Sequence, residues 1–221
     1  METPRGLVVI GDAVGSRADS VGTADWLRGL AQELDAVCGE ARLADFGFTR
    51  GDEVRGLLRS DADPLGVVLH VALAESSRPI RWALAWGDVD GIPTDGSAVG
   101  CAGPAVMASE SAIDEAKRRR ERLVIRTGDA DSDALLAGLV PAFTDILGGL
   151  TPTQRHVARL AIIEGLRQSE VAERLKVRRA TVSVSFARAR LGSLRGLAGA
   201  IRTICRSALE VPAPQHEPGQ T

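Results

Sequence analysis

Two sets of residues carry chemistry. In the first set, Asp12 follows the apolar run Gly6–Gly11 (GLVVIG), and Asp52 sits in the turn of FTRGDEV. On neighbouring strands these carboxylates are expected to face one pocket. Mg2+ is typically held by one or two carboxylates together with substrate phosphates and water. Two-metal phosphoryl-transfer sites use such a pair to place ions about 4 Å apart. Gly11, Gly15 and Gly51 would let a phosphate approach the backbone closely, with Glu53 beside them. The expected metal ligands are therefore Asp12 and Asp52. Gly11, Gly15, Gly51 and Glu53 would bind a nucleotide. The plainer alternative makes Asp12 a strand-end residue and Asp52 a choice of turn chemistry.

The second set lies in QSEVAERLKVRRATVSVSFARA, which begins at Gln168. Two helices that cross closely need a small residue at the crossing, and Ala172 is placed for it. Val171, Leu175, Val177, Val182 and Phe186 supply the apolar contacts. Ser169 is a candidate cap for the first helix. A second helix over Thr181–Arg190 buries Val182, Phe186 and Ala189 and leaves Thr181, Ser183, Ser185 and Arg188 outside. Arg178 and Arg179 stand at its N-terminal end, the end that enters a major groove in helix-turn-helix proteins. Arg can hold a guanine edge with two hydrogen bonds, and Ser or Thr can reach bases or phosphates. The expected DNA contacts are Gln168, Lys176, Arg178, Arg179, Thr181, Ser183, Ser185 and Arg188, with Arg174 and Arg190 adding phosphate attraction. The bland reading is a helical bundle with an Arg-rich solvated face.

Other reactive side chains form no set. His70, His156 and His216 are scattered, and Cys38 has no nearby His in sequence to activate it as a nucleophile. Trp82 and Trp86 share strand parity and are expected in the core. The basic run Lys117–Arg120 with Arg122 reads as a solvated helix end or as a phosphate contact.

The elements that must position these groups alternate in type. Strand-length apolar runs lie at Gly6–Gly11, around Phe46–Phe48, at Val54–Leu58, Ile80–Trp86 and Leu123–Arg126. Helical spacing is found over Ala24–Val37, Pro64–Ala74, Ala105–Arg122 and Asp133–Leu147. The order β-α-β-β-α-β-α-β-α predicts an α+β fold, one ferredoxin-like sheet with helices on one face. After Gly148–Gly149 the pattern becomes all helical: Pro152–Glu164, Ser169–Leu175, Ala180–Leu191 and a last helix to about Leu209. The expected domains are 1–148 and 149–209, followed by a Pro-rich disordered tail, 210–221. The apolar stripe of the last helix (Leu194, Leu197, Ala198, Ile201, Ile204, Cys205) would pack on the first domain or pair two chains.

Composition narrows the class. The 221 residues carry a net charge of -2, but residues 1–150 hold 15 basic and 24 acidic side chains, whereas 151–206 hold 12 basic and 3 acidic. Opposed halves of this kind imply modules with different partners, the basic one suited to nucleic acid, and they would attract each other. Three well-separated cysteines build no disulfide framework or zinc spacing. No run approaches the roughly 20 apolar residues of a membrane span, and no secretory signal is legible. A cytoplasmic protein is expected.

The segment LTPTQRHVARLAIIEGLRQSEVAERLKVRRATVS resembles the helix-turn-helix of sigma-factor region 4 and of LuxR-type regulators. Lys176 stands where Gly is often found in their tight turn. The N-terminal wording, VVIGDAVGSR followed by FTRGDEVRGLL, resembles the SatD family of bacterial proteins. More remotely it resembles the palm-like fold of class III nucleotide cyclases and GGDEF domains. In those enzymes a strand end and a Gly-Asp hairpin hold metal and nucleotide, which is what the resemblance implies for GDAVGS and RGDE. Where cyclases carry a transition-state Asn and Arg, the nearest residues are Met107, Ser109 and Glu110, and Arg50 replaces a Gly of the nucleotide site. The expectation is a DNA-binding transcriptional regulator, homodimeric on palindromic double-stranded DNA, whose palm-like domain senses a small nucleotide or Mg2+. The alternatives are a metal-dependent nucleotide-processing enzyme using Asp12 and Asp52, or a module that contacts RNA polymerase or another protein.

Overall fold

The computed structural model describes residues 4–49, 51–74, 78–93 and 96–210. Arg50 and the segment Val211–Thr221, expected as a disordered tail, lie outside the described residues. In chain order the elements are β1 (Arg5–Ala13), α1 (Ser20–Cys38), β2 (Arg42–Phe48), β3 (Glu53–Arg59), α2 (Gly66–Ala72), β4 (Ile80–Asp88), α3 (Pro104–Arg119), β5 (Leu123–Arg126), α4 (Ala130–Gly148), α5 (Pro152–Ile162), α6 (Gln168–Leu175), α7 (Arg179–Arg188) and α8 (Leu191–Glu210). The fold is mixed α+β.

The five strands form one sheet in the order β2-β3-β1-β4-β5. Neighbours are antiparallel except β4 and β5, which are parallel. β1 lies at the centre and is buried along almost its whole length. Because side chains alternate across a strand, its odd and even residues feed two cores. Leu7 and Val9 join Val54, Leu58, Trp82, Leu84 and Trp86 on one face. Val8 and Ile10 join Leu57, Ala83 and Val124 on the other.

The expectation of helices on one face is corrected here. The first face is covered by Leu27, Leu30 and Leu34 of α1, Val67 and Val68 of α2, and Leu136, Val140 and Phe143 of α4. The second face is covered by Val106, Ala112, Ile113 and Ala116 of α3. Both faces of the sheet are apolar, so each has to be covered. Topology predicted from element order does not say which side each connection takes.

Local signals explain most boundaries. Asp19 caps α1, accepting the Gly22 N–H at 3.0 Å. Asp129 caps α4, accepting from Ser132 N–H at 2.8 Å, so this helix starts earlier than Asp133. Thr151 and Gln154 form a reciprocal capping box at the start of α5.

The first core does not stop at Gly148. It continues through Phe143 and Leu147 into Val157 and Leu160 of α5, Val171 of α6, Val182 of α7, and Leu194, Ile201 and Cys205 of α8. The apolar stripe of α8 therefore packs within the chain, chiefly on α4. The opposed charges meet where Arg202 of α8 holds the Asp63 carboxylate with two hydrogen bonds of 2.7 Å. Among the described residues no single helix is long and apolar enough to cross a membrane.

Candidate nucleic-acid interface

α6 and α7 are short, and their packing is set by four residues. Val171, Ala172 and Val182 are buried, at 0%, 5% and 1% exposure, and Ala189 lies beneath the end of α7. Ala172 thus occupies the crossing expected of it. The turn between the helices is closed by Lys176 in the left-handed conformation, φ 54°. Its N–H donates to Glu173 O at 3.1 Å, and the Val177 N–H donates to Ala172 O at 3.0 Å. A side chain tolerates this backbone less well than glycine does. The cap of α6 differs from expectation: the helix begins at Gln168, and Glu170 reaches back to the Arg167 N–H at 2.7 Å. Ser169 is instead an exposed first-turn residue.

Of the predicted contact residues, Lys176, Arg178, Arg179, Thr181, Ser183 and Arg188 are exposed, and Gln168 and Ser185 are half-buried. Phe186 is half-buried under the Arg195 guanidinium, 5.8 Å from its ring centre. Val184, at 49% exposure, adds an apolar patch to the outer side of α7 that the hydrophobic pattern did not single out. Arg190 is exposed too, whereas Arg174 is held 3.5 Å from Glu164. Among the described residues, Lys176, Arg178, Arg179, Arg188 and Arg190 have no side-chain hydrogen bond or ion pair. Elsewhere in the chain many arginines are paired, as Arg55 is with Glu110 at 2.7 Å. The first amides of α7 also lack a side-chain cap, because Arg178 precedes them. An uncapped helix N-terminus surrounded by unpaired cations attracts anions.

The N-terminal carboxylates are arranged differently from the expected pair. β1 and β3 set Asp12 directly opposite Glu53, and β4 sets Arg81 beside it. Asp12 is 3% exposed. Its carboxylate accepts from Lys117 of α3 at 2.8 Å and from Arg81 at 3.3 Å. Lys117 also reaches Glu53 at 3.1 Å. Burial acts to lower the Lys117 ammonium, but its hydrogen bonds to Asp12 and Glu53 leave it raised above its ordinary value.

Asp52 stands one residue before Glu53, in the bend that leads into β3, and its contacts differ from those of Asp12. Its carbonyl accepts the Ala13 N–H at 2.9 Å, and its carboxylate accepts from the Ser16 hydroxyl, before α1. The shared Asp12–Asp52 pocket is therefore not formed. Among the described residues no three His, Cys, Asp or Glu side chains converge as a metal cluster.

The glycines divide likewise. A Cβ on Gly11 would lie 2.6 Å from Trp82 and 2.8 Å from Ile80, so its missing side chain makes room for core residues, not for a phosphate. Gly15 and Gly51 have φ of 78° and 130°, which turn geometry itself requires. In α3, Met107 is exposed, Ser109 is buried with its hydroxyl on Val106 O, and Glu110 pairs with Arg55. Burial, with the Asp35 carboxylate nearby, pushes the Cys38 thiol up to about 11. Burial, with Asp133 and Asp63 nearby, pushes Cys205 to about 12.

Sequence reasoning missed the roles of Lys117 and Arg81. The signal available was a cation at the end of an amphipathic helix and another one strand away at matching parity. No pattern in the chain tells which acid each one meets.

This is a mixed α+β protein whose helical C-terminal part presents an unpaired cationic helix. The SatD family model matches residues 6–197, and the chain belongs to the SatD family. Among curated proteins no match was found. A solved regulator of polyketide synthase expression from Bifidobacterium adolescentis is similar at 16% identity and a TM-score of 0.28, over 94% of this chain and 81% of that one.

Proposed function

We propose that this protein is a DNA-binding transcriptional regulator working in the cytoplasm, with α6 and α7 as its helix-turn-helix. The observation that carries this reading is the unpaired set Lys176, Arg178, Arg179, Arg188 and Arg190 around an exposed helix whose inner side is locked into the bundle. A cation that folding does not use is free to replace the counterions of a phosphate backbone. The outward Thr181 and Ser183 would meet base edges while the arginines at the helix start hold guanines or phosphates. In this arrangement α7 enters the major groove by its N-terminal end. Two copies would occupy half-sites about 34 Å apart on a palindrome. The stripe of α8 is buried on α4, so pairing would use another surface.

The sheet order, with β3 between β1 and β2, supports a palm-like reading of the N-terminal part. That part then serves as a sensor. The Asp12 carboxylate is already balanced by two cations, which favours a structural role for it over metal chemistry. The test is recovery of bound genomic DNA with the intact chain at low ionic strength. Enrichment of discrete sites, lost in R178A/R179A, is expected. Failure to retain any DNA overturns the proposal.

A further inference from the structure

A cavity of about 150 Å3 lies where β4, α2, the end of α4 and the start of α5 meet. That is close to the volume that admits a benzene-sized body, and it is smaller than a drug-sized pocket. Its walls are of two kinds. Val71, Ile80, Trp82 and Leu147 form an apolar floor. Three arginines, Arg78, Arg122 and Arg155, and the neutral Thr144 are its polar lining, and no Asp or Glu of the described residues shares it.

The arginines come from three separate parts of the chain: the lead-in to β4, the link between α3 and β5, and the first turn of α5. Arg78 is partly engaged, by Asp19 at 3.2 Å and Thr23 at 3.3 Å. Arg122 and Arg155 have no side-chain partner among the described residues. The Nε of Arg155 is moreover buried without an acceptor. Buried polar groups are nearly always hydrogen-bonded, so this guanidinium is not satisfied by folding alone. Guanidinium donors in a fixed fork match a carboxylate or phosphate. The Trp82 floor asks for an apolar body beside that anion.

We propose that this pocket binds a small organic carboxylate, with its apolar body on Trp82 and Leu147 and its carboxylate between Arg122 and Arg155. The pocket joins the sheet to α5, and α5 packs against α7. A ligand here would therefore tie the sensor part to the DNA-reading helices. That coupling rests on the function proposed above, whereas the binding itself does not.

The test is titration calorimetry on the full chain with sodium benzoate, 3-methylbutanoate, benzamide and inorganic phosphate. One-to-one binding of benzoate or 3-methylbutanoate is expected, with benzamide about 10-fold weaker or more, since it lacks the charge. Arg122→Gln and Arg155→Gln should each weaken the carboxylate by a similar factor with the melting temperature retained. Arg122 is exposed, so its variant folds even where the other does not. Lack of carboxylate binding, equal binding of benzamide, binding of phosphate alone, or unchanged affinity in Arg122→Gln overturns the proposal. Carboxylate binding with no change in DNA affinity removes the coupling and leaves the site. DNA binding without carboxylate binding removes the site and leaves the function.

Discussion

Replacing Arg178 and Arg179 together by Ala gives the sharpest test of the cationic helix. Neither side chain is paired and both are exposed, so the stability change should stay within about 0.5 kcal/mol. Five unpaired cations flank α7. If each one neutralises one phosphate, the logarithm of the binding constant falls with that of salt at a slope of about -4.5 per protomer. Between 50 and 200 mM salt this means about a 500-fold loss of affinity. The double variant retains three cations, which lowers the slope to about -2.7 and the loss to about 40-fold. Fluorescence anisotropy of a labelled duplex over that salt range measures both slopes. A wild-type slope near zero, or one that the double substitution leaves unchanged, refutes the reasoning, because the charge would then not meet phosphate.

Four further outcomes are expected. Lys117→Met leaves Asp12 with Arg81 alone, and because Lys117 is 36% exposed the loss should be about 2 kcal/mol, below the range for a fully buried pair. Since the Lys117 ammonium is raised above its ordinary 10.5, its contribution is complete below pH 10.5 and fades as the pH climbs through the raised value. Melting curves of wild type and variant should therefore converge on the alkaline side and stay apart at neutral pH, and a constant gap refutes the pairing. Lys176→Gly relieves the left-handed backbone and should raise stability by about 0.5–1 kcal/mol in urea unfolding, whereas a decrease would show that the Lys side chain matters more than the turn. Leu194→Ala in the fully buried seam of α8 should cost about 2–5 kcal/mol and shift one cooperative transition of the whole chain; two separate transitions would deny the continuous core. Saturating Mg2+ should leave the melting temperature unchanged, and a rise abolished by Asp12→Asn would restore Asp12 as a metal ligand.

The sequence by itself determined what depends on local pattern. The periods of two and 3.6 placed the strands and nearly every helix. Ala172, Val171 and Val182 announced the α6–α7 crossing because a close helix contact admits only small and apolar side chains. The outward position of Thr181, Ser183 and Arg188 was legible because it follows from helix phase alone, whereas their lack of partners among the described residues was not. Boundaries at Asp19, Asp129 and Arg167 shifted by a few residues, since a cap depends on which side chain the chain's path brings to the first amides.

What only the tertiary structure decided depends on faces and register. Asp12 and Asp52 looked like a pair because both stood beside glycine near strand ends. Pairing β1 with β3 in the register Asp12–Glu53 set Glu53 against Asp12 and left Asp52 in the bend before β3, on the Ser16 hydroxyl. Gly11 looked like room for a phosphate until Trp82 of the neighbouring strand filled the space. The cover of α3 on the second face, the ion cluster around Lys117 and the meeting of Arg78, Arg122 and Arg155 all join residues far apart in the chain. No local propensity encodes such distances, because they follow from the closing of one sheet between two helical layers.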